Sequence, residues 1–313
     1  MMIASRLQKV THPLFEKHQL SVSIKRDDTI HPIISGNKWR KLKFNLLHAK
    51  TQNYMGVISF GGSFSNHIHA LAFSCQQQGL KSIGIIRGEK EYASNFTLSM
   101  AQQWGMKLHF IDRKTYRLRE NQDYLAELQK LYPNYLIVPE GGSNTLALPG
   151  VGEVITELNQ QCEFDTLLTP VGSGGTIAGL IQADNNQHQL IGIAVLKQND
   201  YLTDQVNVLL ENSSNYVNWQ IMSEFHRGGY AKFSKEDVAR ILNFNEQTGF
   251  IFEPVYSGKM ILALLALIEQ NYFPIGHRIV ILHTGGLQGI GGLLERNLLT
   301  ANDWFIPDFK SGL

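Results

Sequence analysis

Cysteine is nearly absent. The 313-residue chain has two, Cys75 and Cys162, too few for a disulfide framework or a cysteine-based zinc site. A reducing, cytoplasmic setting is the simpler expectation. An excess of one charge is missing too. Lys plus Arg number 28 against 27 Asp plus Glu, a formal +1, so the whole-chain balance carries no footprint for nucleic acid. Long apolar runs are lacking as well. The longest, residues 260–268, has nine residues, where a bilayer span needs about 20. The opening segment holds no apolar stretch of signal-peptide length, so neither a membrane span nor secretion by a standard signal is expected. Of the 11 histidines only His67 and His69 sit close together. They are two apart, with no third ligand and no His-Glu-x-x-His helix, and no metal site is expected.

What is present suits an ordered protein with a sizeable core: 43% hydrophobic and 18% charged residues. The length suits about two domains at roughly 150 residues each. Short apolar strand candidates alternate with helical stretches. Strands are expected at residues 57–60, 82–86, 108–111 and 135–138, with helices near 66–78, 95–104 and 120–131 between them. A second series runs through 166–171, 190–195, 217–222 and 278–282. Continuously apolar strands indicate burial on both faces, and strands separated by helices indicate βαβ units. The expected class is α/β, with two domains of twisted, mostly parallel sheet flanked by helices. Residues 45–150 form a small domain, and residues 1–44 with 151–313 form a large one.

Five motifs could carry chemistry. Gly172-Ser173-Gly174-Gly175-Thr176 follows a buried strand and opens a helix. Backbone N–H groups there can turn inward, and the helix N-terminus favours an anion. This loop is no Walker loop, since Ile177 follows Thr176. It lacks the third glycine and the following acid of a dinucleotide fingerprint. No Gly-x-Ser-x-Gly elbow occurs in the chain. The second motif is Ser35-Gly36-Asn37-Lys38-Trp39-Arg40-Lys41-Leu42. Trp39, Leu42, Leu46 and Leu47 mark an apolar helical face, which places Lys38 in the first turn. The helix field there favours its neutral amine, the form that attacks a carbonyl. The bland reading is a basic, solvated face shared by Arg40, Lys41 and Lys43. Gly61-Gly62-Ser63-Phe64-Ser65-Asn66-His67 joins another buried strand to a helix, where Ser65 or Asn66 could cap the helix or hold a carboxylate. Glu253-Pro254-Val255-Tyr256-Ser257-Gly258-Lys259 and His283-Thr284-Gly285-Gly286 complete the set. For Thr284 alone a satisfied capping hydroxyl is the bland reading.

In this order, and together with Ile24-Lys25-Arg26-Asp27-Asp28, the motifs resemble the pyridoxal-phosphate enzymes of fold type II. The nearest likeness is to the 1-aminocyclopropane-1-carboxylate deaminase and D-cysteine desulfhydrase family, over nearly the whole chain. The resemblance implies pyridoxal 5'-phosphate as cofactor, a cleft between two domains, a small amino-acid substrate and a homodimer. By the same resemblance Lys38 would carry the cofactor and move the proton at the substrate α-carbon. Asn66 would bond the ring oxygen, and Gly172, Ser173, Gly174, Gly175 and Thr176 would hold the phosphate. Tyr256 would lie on or beside the ring, Thr284 would meet the pyridine nitrogen, and Ser65 with His67 would bind substrate. The cyclopropane deaminases carry an acid after the tyrosine, which keeps that nitrogen protonated. Ser257 stands there, which implies the desulfhydrase-like elimination to keto acid and ammonia, with the deaminase as alternative. Phe64 replaces a usual polar residue. The second site tyrosine falls on Phe225 or, in another alignment, on Tyr230. A non-catalytic pyridoxal-phosphate binder or amino-acid sensor is the alternative of another class.

Overall fold

Ten strands form, the central ones where apolar runs are buried on both faces, and the helices between them cover the sheets. The structure is a computed structural model that describes residues 4–34, 36–197, 200–300 and 304. The strands are β1 (Leu7–Val10), β2 (Ser21–Lys25), β3 (Gly56–Gly62), β4 (Lys81–Arg87), β5 (Met106–Ile111), β6 (Tyr135–Val138), β7 (Thr166–Val171), β8 (Gln189–Ala194), β9 (Trp219–Met222) and β10 (Arg278–Leu282). They build a six-stranded sheet in the order β1-β2-β10-β7-β8-β9 and a four-stranded sheet in the order β5-β4-β3-β6. All pairings are parallel except β1 with β2. The α/β class with mostly parallel sheets is thus the observed one. Every residue of β7 is buried, as are all of β3 but its last.

Two strands were not read from the sequence. β2 is short and alternates Ser, Val, Ser, Ile and Lys, yet it lies parallel to β10 with Ser21 opposite Arg278. A five-residue polar-apolar alternation gives little signal alone, and its partner lies over 250 residues away in the chain.

The helix Asn37–Thr51 corrects another expectation. Leu42 and Leu46 are buried, but Leu47 is 52% exposed, while Arg40 and Lys41 are each only 1% exposed. The basic face is therefore not solvated. This helix packs between the helices Asn66–Gln77 and Leu148–Gln161, so its polar side chains need partners inside the protein. Arg40 finds them in a double fork. Its Nε and Nη2 donate to Asp27 at 2.8 and 2.9 Å, and its Nη1 and Nη2 donate to Glu157 at 2.8 and 2.9 Å. Lys25 joins at 2.6 Å from Glu157. Burial pushes the Glu157 carboxyl up, but hydrogen bonds and charge from Arg40 and then Lys25 more than offset it, holding it below its ordinary 4.5. A depressed carboxyl contributes stability that is present above that value and lost as the pH falls through the folded value.

Arg40→Met leaves Asp27 and Glu157 buried without their main partner. The expected loss is about 3–5 kcal/mol, read as a lowered urea midpoint. Lys43→Met, which breaks a half-exposed pair with Glu153, should cost about 0–1 kcal/mol. Equal effects of the two would show that the buried fork carries no special share of the stability.

Candidate active site

The carboxyl ends of β3, β7 and β10 and the starts of the helices Asn37–Thr51 and Ser257–Glu269 bring the five motifs together, at the strand ends where open α/β sheets take ligands. The contacts are close. A Cβ on Gly175 would lie 2.6 Å from Ser143 Oγ, and one on Gly172 would lie 2.8 Å from the Tyr256 phenol oxygen. Gly174 takes a left-handed φ of 74° as N-cap of the helix Gly175–Asp184, where a side chain would be strained. The result is a small bare-backbone concavity, lined by Gly172, Ser173, Gly174, Thr176 and Tyr256, at a helix N-terminus. Ser173 Oγ lies 2.7 Å from Ser143 Oγ, which accepts from Lys41 Nζ at 2.9 Å. Thr176 Oγ1 accepts from Asn37 Nδ2 at 2.7 Å. That bond ties the phosphate-type loop to the helix bearing Lys38.

Lys38 lies in the first turn of that helix, as its spacing implies. Gly36 makes the placement possible: with φ at +66°, a Cβ there would sit 1.7 Å from the Thr284 carbonyl oxygen. Asn37 N–H donates to the same carbonyl at 3.3 Å. Thr284 is buried at the end of β10. Burial lowers the Lys38 ammonium to about 8, with the Glu140 carboxylate partly opposing it. Lys41, three residues on, is pushed well below its ordinary value by burial and then by Lys38. The sequence signal for Lys41 was its i+3 spacing from Lys38, which puts both amines on one helix face.

Ser65 is the N-cap of the helix Asn66–Gln77 and accepts from Ile68 N–H at 3.3 Å. Asn66 Oδ1 is buried with no hydrogen-bond partner among the described residues. His67 is 2% exposed. Its Nε2 lies 2.7 Å from Ser59 Oγ, whose own proton goes to Val138 O at 2.7 Å. Ser59 therefore accepts, Nε2 carries the hydrogen, and Nδ1 is a bare acceptor with no partner. Burial, then Lys38 and Lys41, hold the imidazole well below its ordinary value and so neutral.

Tyr256 caps the helix Ser257–Glu269, and Glu253 sets its position. The Glu253 carboxylate accepts from the N–H groups of Val255, Tyr256 and Ser257 at 2.7, 3.0 and 2.7 Å, and from Ser257 Oγ at 3.1 Å. Burial pushes this acid up to about 7 against those hydrogen bonds. Ser257 is wholly buried, and its hydroxyl is committed to Glu253. Two residues beyond, Lys259 is also wholly buried. Its Nζ donates to Val195 O at 3.3 Å, to His226 O at 2.9 Å and to Gly229 O. This staples the loop that presents Tyr230. Phe225 packs on the core of the large sheet, whereas Tyr230 is 54% exposed and raises the Tyr256 phenol after burial. Of the two aromatics, Phe225 is thus a core residue and Tyr230 a surface-exposed one. Glu253 and Lys259 bound the fourth motif in the sequence but were given no role there, because the partners of a buried charge are visible only in the fold.

A phosphorylated pyridine aldehyde fits these residues. The concavity would be filled by a Cβ at Gly172 or Gly175. The orphaned Asn66 amide oxygen awaits a polar partner, and the Lys38 amine is shifted toward its neutral, carbonyl-attacking form. The chain belongs to the pyridoxal-phosphate dependent enzymes, whose family model matches residues 7–285. Within that class it is 31% identical over 315 residues to the mitochondrial bifunctional D-cysteine desulfhydrase/1-aminocyclopropane-1-carboxylate deaminase of Arabidopsis thaliana, covering 93% of this chain and 78% of that one. It is 27% identical over 283 residues to the D-cysteine desulfhydrase of Klebsiella pneumoniae, covering 85% and 86%. A crystal structure of a 1-aminocyclopropane-1-carboxylate deaminase homologue superposes with a TM-score of 0.83 at 26% identity, covering 95% of this chain and 93% of that one. No helix among the described residues is long and apolar enough to cross a membrane.

Gly174→Val puts a branched side chain on a left-handed residue, 3.2 Å from Val206 by its Cβ alone. Cofactor affinity should fall about tenfold or more, equivalent to ~1.4 kcal/mol or more, in a titration of the apoprotein with pyridoxal phosphate. Wild-type affinity in a folded variant would remove the loop from the site.

Proposed function

We propose that the protein is a D-cysteine desulfhydrase-like lyase that converts a small amino acid bearing a β-leaving group to keto acid and ammonia. Ser257 is the observation that carries this reading. It stands where the ring-opening enzymes place an acid, and its hydroxyl donates to Glu253 rather than toward the cleft. Bound in the cradle, pyridoxal phosphate supplies the electron sink for the bond broken at the α-carbon. Gly172, Ser173, Gly174, Gly175 and Thr176 hold its phosphate, Asn66 its ring oxygen, and Tyr256 one side of the ring. Thr284 would face the pyridine nitrogen with a neutral hydroxyl, where an acid would keep that nitrogen protonated. A neutral nitrogen makes a shallower sink, which suits proton removal followed by prompt loss of a good leaving group.

Lys38 carries the cofactor and then, as a neutral amine, takes the α-proton. Ser65 and the N-terminus of its helix receive the substrate carboxylate. His67, neutral and with a bare Nδ1, serves as a hydrogen-bond acceptor for the substrate rather than as an acid. In this reading residues 45–150 form the substrate-side domain and residues 1–44 with 151–313 the cofactor-side domain. The helix Asn37–Thr51 spans the join between them. The protein works as a cytoplasmic homodimer on a free amino acid. A second reading, opening of 1-aminocyclopropane-1-carboxylate, is favoured by the name of the Arabidopsis relative, which carries both activities.

Lys38→Ala should abolish both the visible band of the bound cofactor and the borohydride-trapped adduct. An adduct on another lysine would move the assignment. In the unaltered apoprotein, the rate of cofactor capture should rise with pH through about 8, because the neutral amine forms as the proton leaves. A midpoint near the ordinary 10.5 would show that burial does not act on Lys38.

The two reactions are separated by specificity constants. β-Chloroalanine or D-cysteine should give pyruvate and ammonia with kcat/KM about 100-fold or more above that of the cyclopropane substrate. Efficient ring opening by the unmodified protein would replace the lyase reading with the deaminase one.

A further inference from the structure

A buried carboxylate needs a cation or a full set of hydrogen-bond donors. Glu253 is 2% exposed, and among the described residues it has no ion-pair partner. Donors alone surround it. Its Oε2 accepts from the N–H groups of Val255 and Tyr256 at 2.7 and 3.1 Å. Its Oε1 accepts from the N–H groups of Tyr256 and Ser257 at 3.0 and 2.7 Å, and from Ser257 Oγ at 3.1 Å. Ser257 Oγ in turn accepts from the Glu253 N–H at 3.3 Å, and the Glu253 carbonyl accepts from the Gly258 N–H at 2.7 Å. The acid and the start of the helix Ser257–Glu269 thus close on each other around Tyr256.

That set suits one protonation state. A backbone N–H has no lone pair to offer, so a proton on either oxygen could turn only to Ser257 Oγ. Ser257 is wholly buried, and its own hydrogen would then lose the carboxylate. The remaining bonds would weaken too, since a charged acceptor makes hydrogen bonds roughly twice as strong as a neutral one.

What the carboxylate holds borders the phosphate cradle. The Tyr256 N–H donates to both oxygens, and the side chain of the same residue reaches the glycine loop. A Cβ on Gly172 would lie 2.8 Å from the phenol oxygen and 2.9 Å from Cε2. The ring therefore rests on bare backbone and walls the concavity of Gly172, Ser173, Gly174 and Thr176. The other charged and titratable groups nearby are engaged elsewhere. Lys259 feels Glu253, Asp237 and Arg227, but its Nζ goes to Val195 O, His226 O and Gly229 O. The phenols of Tyr230 and Tyr256 are pushed further up by Glu253. From the end of β10, His283 Nε2 lies 2.7 Å from Ile251 O. From the helix Lys235–Thr248, Asn245 brackets the N–H and carbonyl of Phe252.

We infer that Glu253 is a positioning residue for Tyr256, and that the phosphate cradle is fully formed only while the Glu253 carboxylate is ionised. Nothing in this role depends on which bond the bound cofactor breaks. Burial pushes the acid up to about 7, which brings the change into the neutral range. The ionised form prevails above that value, so the hold is present there and is lost as the pH falls through it.

The test uses the full chain freed of cofactor and pyridoxine 5'-phosphate, which has the ring and the phosphate but no aldehyde for Lys38 to capture. Affinity is read by fluorescence titration across the neutral range. Glu253→Gln keeps the size of the side chain but turns an NH2 group toward donors. The ratio of unaltered to variant affinity cancels the titrations that both proteins share, those of Lys38 and of the ligand phosphate among them. Above pH about 7 that ratio should be about tenfold, as expected when buried donors lose a charged acceptor. Below it the ratio should fall toward unity. Glu253→Asp, which keeps the charge, should restore part of the affinity at the higher pH. A ratio that is flat across pH, whatever its size, would overturn the role, because a merely structural defect does not follow the ionisation of one carboxyl. If Glu253→Gln does not fold, Ser257→Ala carries the test. Loss of one donor to the ionised form should move the step in affinity to higher pH, and an unmoved step would equally overturn the role.

Discussion

The approach of Gly36 to the end of β10 is the constraint on which the site depends. A Cβ at that position would stand 1.7 Å from the Thr284 oxygen, a distance no side chain can occupy. The chain must therefore enter the helix Asn37–Thr51 through a left-handed glycine, pressed against the last turn of backbone after β10. From that point the rest of the helix is aimed. Asn37 reaches Thr176 in the phosphate-type loop, Lys38 falls in the cleft, Arg40 forks into Asp27 and Glu157, and Lys41 reaches Ser143. The side chains of Asn37, Arg40 and Lys41, with the backbone N–H of Asn37 on Thr284 O, thus tie the chain after β10, the glycine loop, the segment after β2, the helix Leu148–Gln161 and the segment after β6 into one register. A helix held from both sides cannot roll without breaking the Arg40 forks, so the reacting amine has a fixed origin.

The same packing sets the electrostatics. Lys38, Lys41 and His67 share one desolvated compartment, and each is moved toward its neutral form by burial, with neighbouring positive charge adding to the effect for Lys41 and His67. On the far wall burial acts in the same sense, raising the Glu253 acid to about 7 and lowering the Lys259 ammonium to about 8, but hydrogen bonds hold both groups in place. Glu253 keeps four donors around its carboxylate and Lys259 three carbonyls around its ammonium. Those two groups act as structural pins for Tyr256 and for the loop before Tyr230, at the cost of being buried. One wall is built to release protons and the other to hold side chains still.

Much of this was legible in the residues. The central strands β3, β4, β7, β8 and β10 declare themselves by largely apolar, buried runs, and the glycine loops sit where a strand must hand over to a helix without a Cβ in the way. β2 escaped because five alternating residues carry a weak pattern and their partner strand is remote in sequence. The burial of Arg40 and Lys41 escaped for a different reason. Charge on a helix reads as solvent exposure, and only the acids Asp27 and Glu157, 13 and 117 residues away, reverse that reading. Glu253 and Lys259 repeat the case: a paired or pinned charge cannot be told from a free one until its partner is in view. Phe225 and Tyr230 lay five residues apart in one loop, and only the staple made by Lys259 separates the core aromatic from the exposed one.

The positive charges of the site divide by chemistry as well as by depth. An amine changes its protonation readily when desolvated, and the chain places its amines, Lys38 and Lys41, inside. A guanidinium stays charged across the working range of pH, and among the described residues neither Arg87 nor Arg296, which lie beside Gly62 and Phe64, pairs with a carboxylate. Had these types been exchanged, a buried arginine would keep its charge and could take no proton from carbon. The arrangement therefore keeps the readily neutralised amines in the interior. Glu140 neutralises Arg119, the guanidinium nearest to it, and acts on Lys38 from the same position. The interior amine thereby feels a carboxylate.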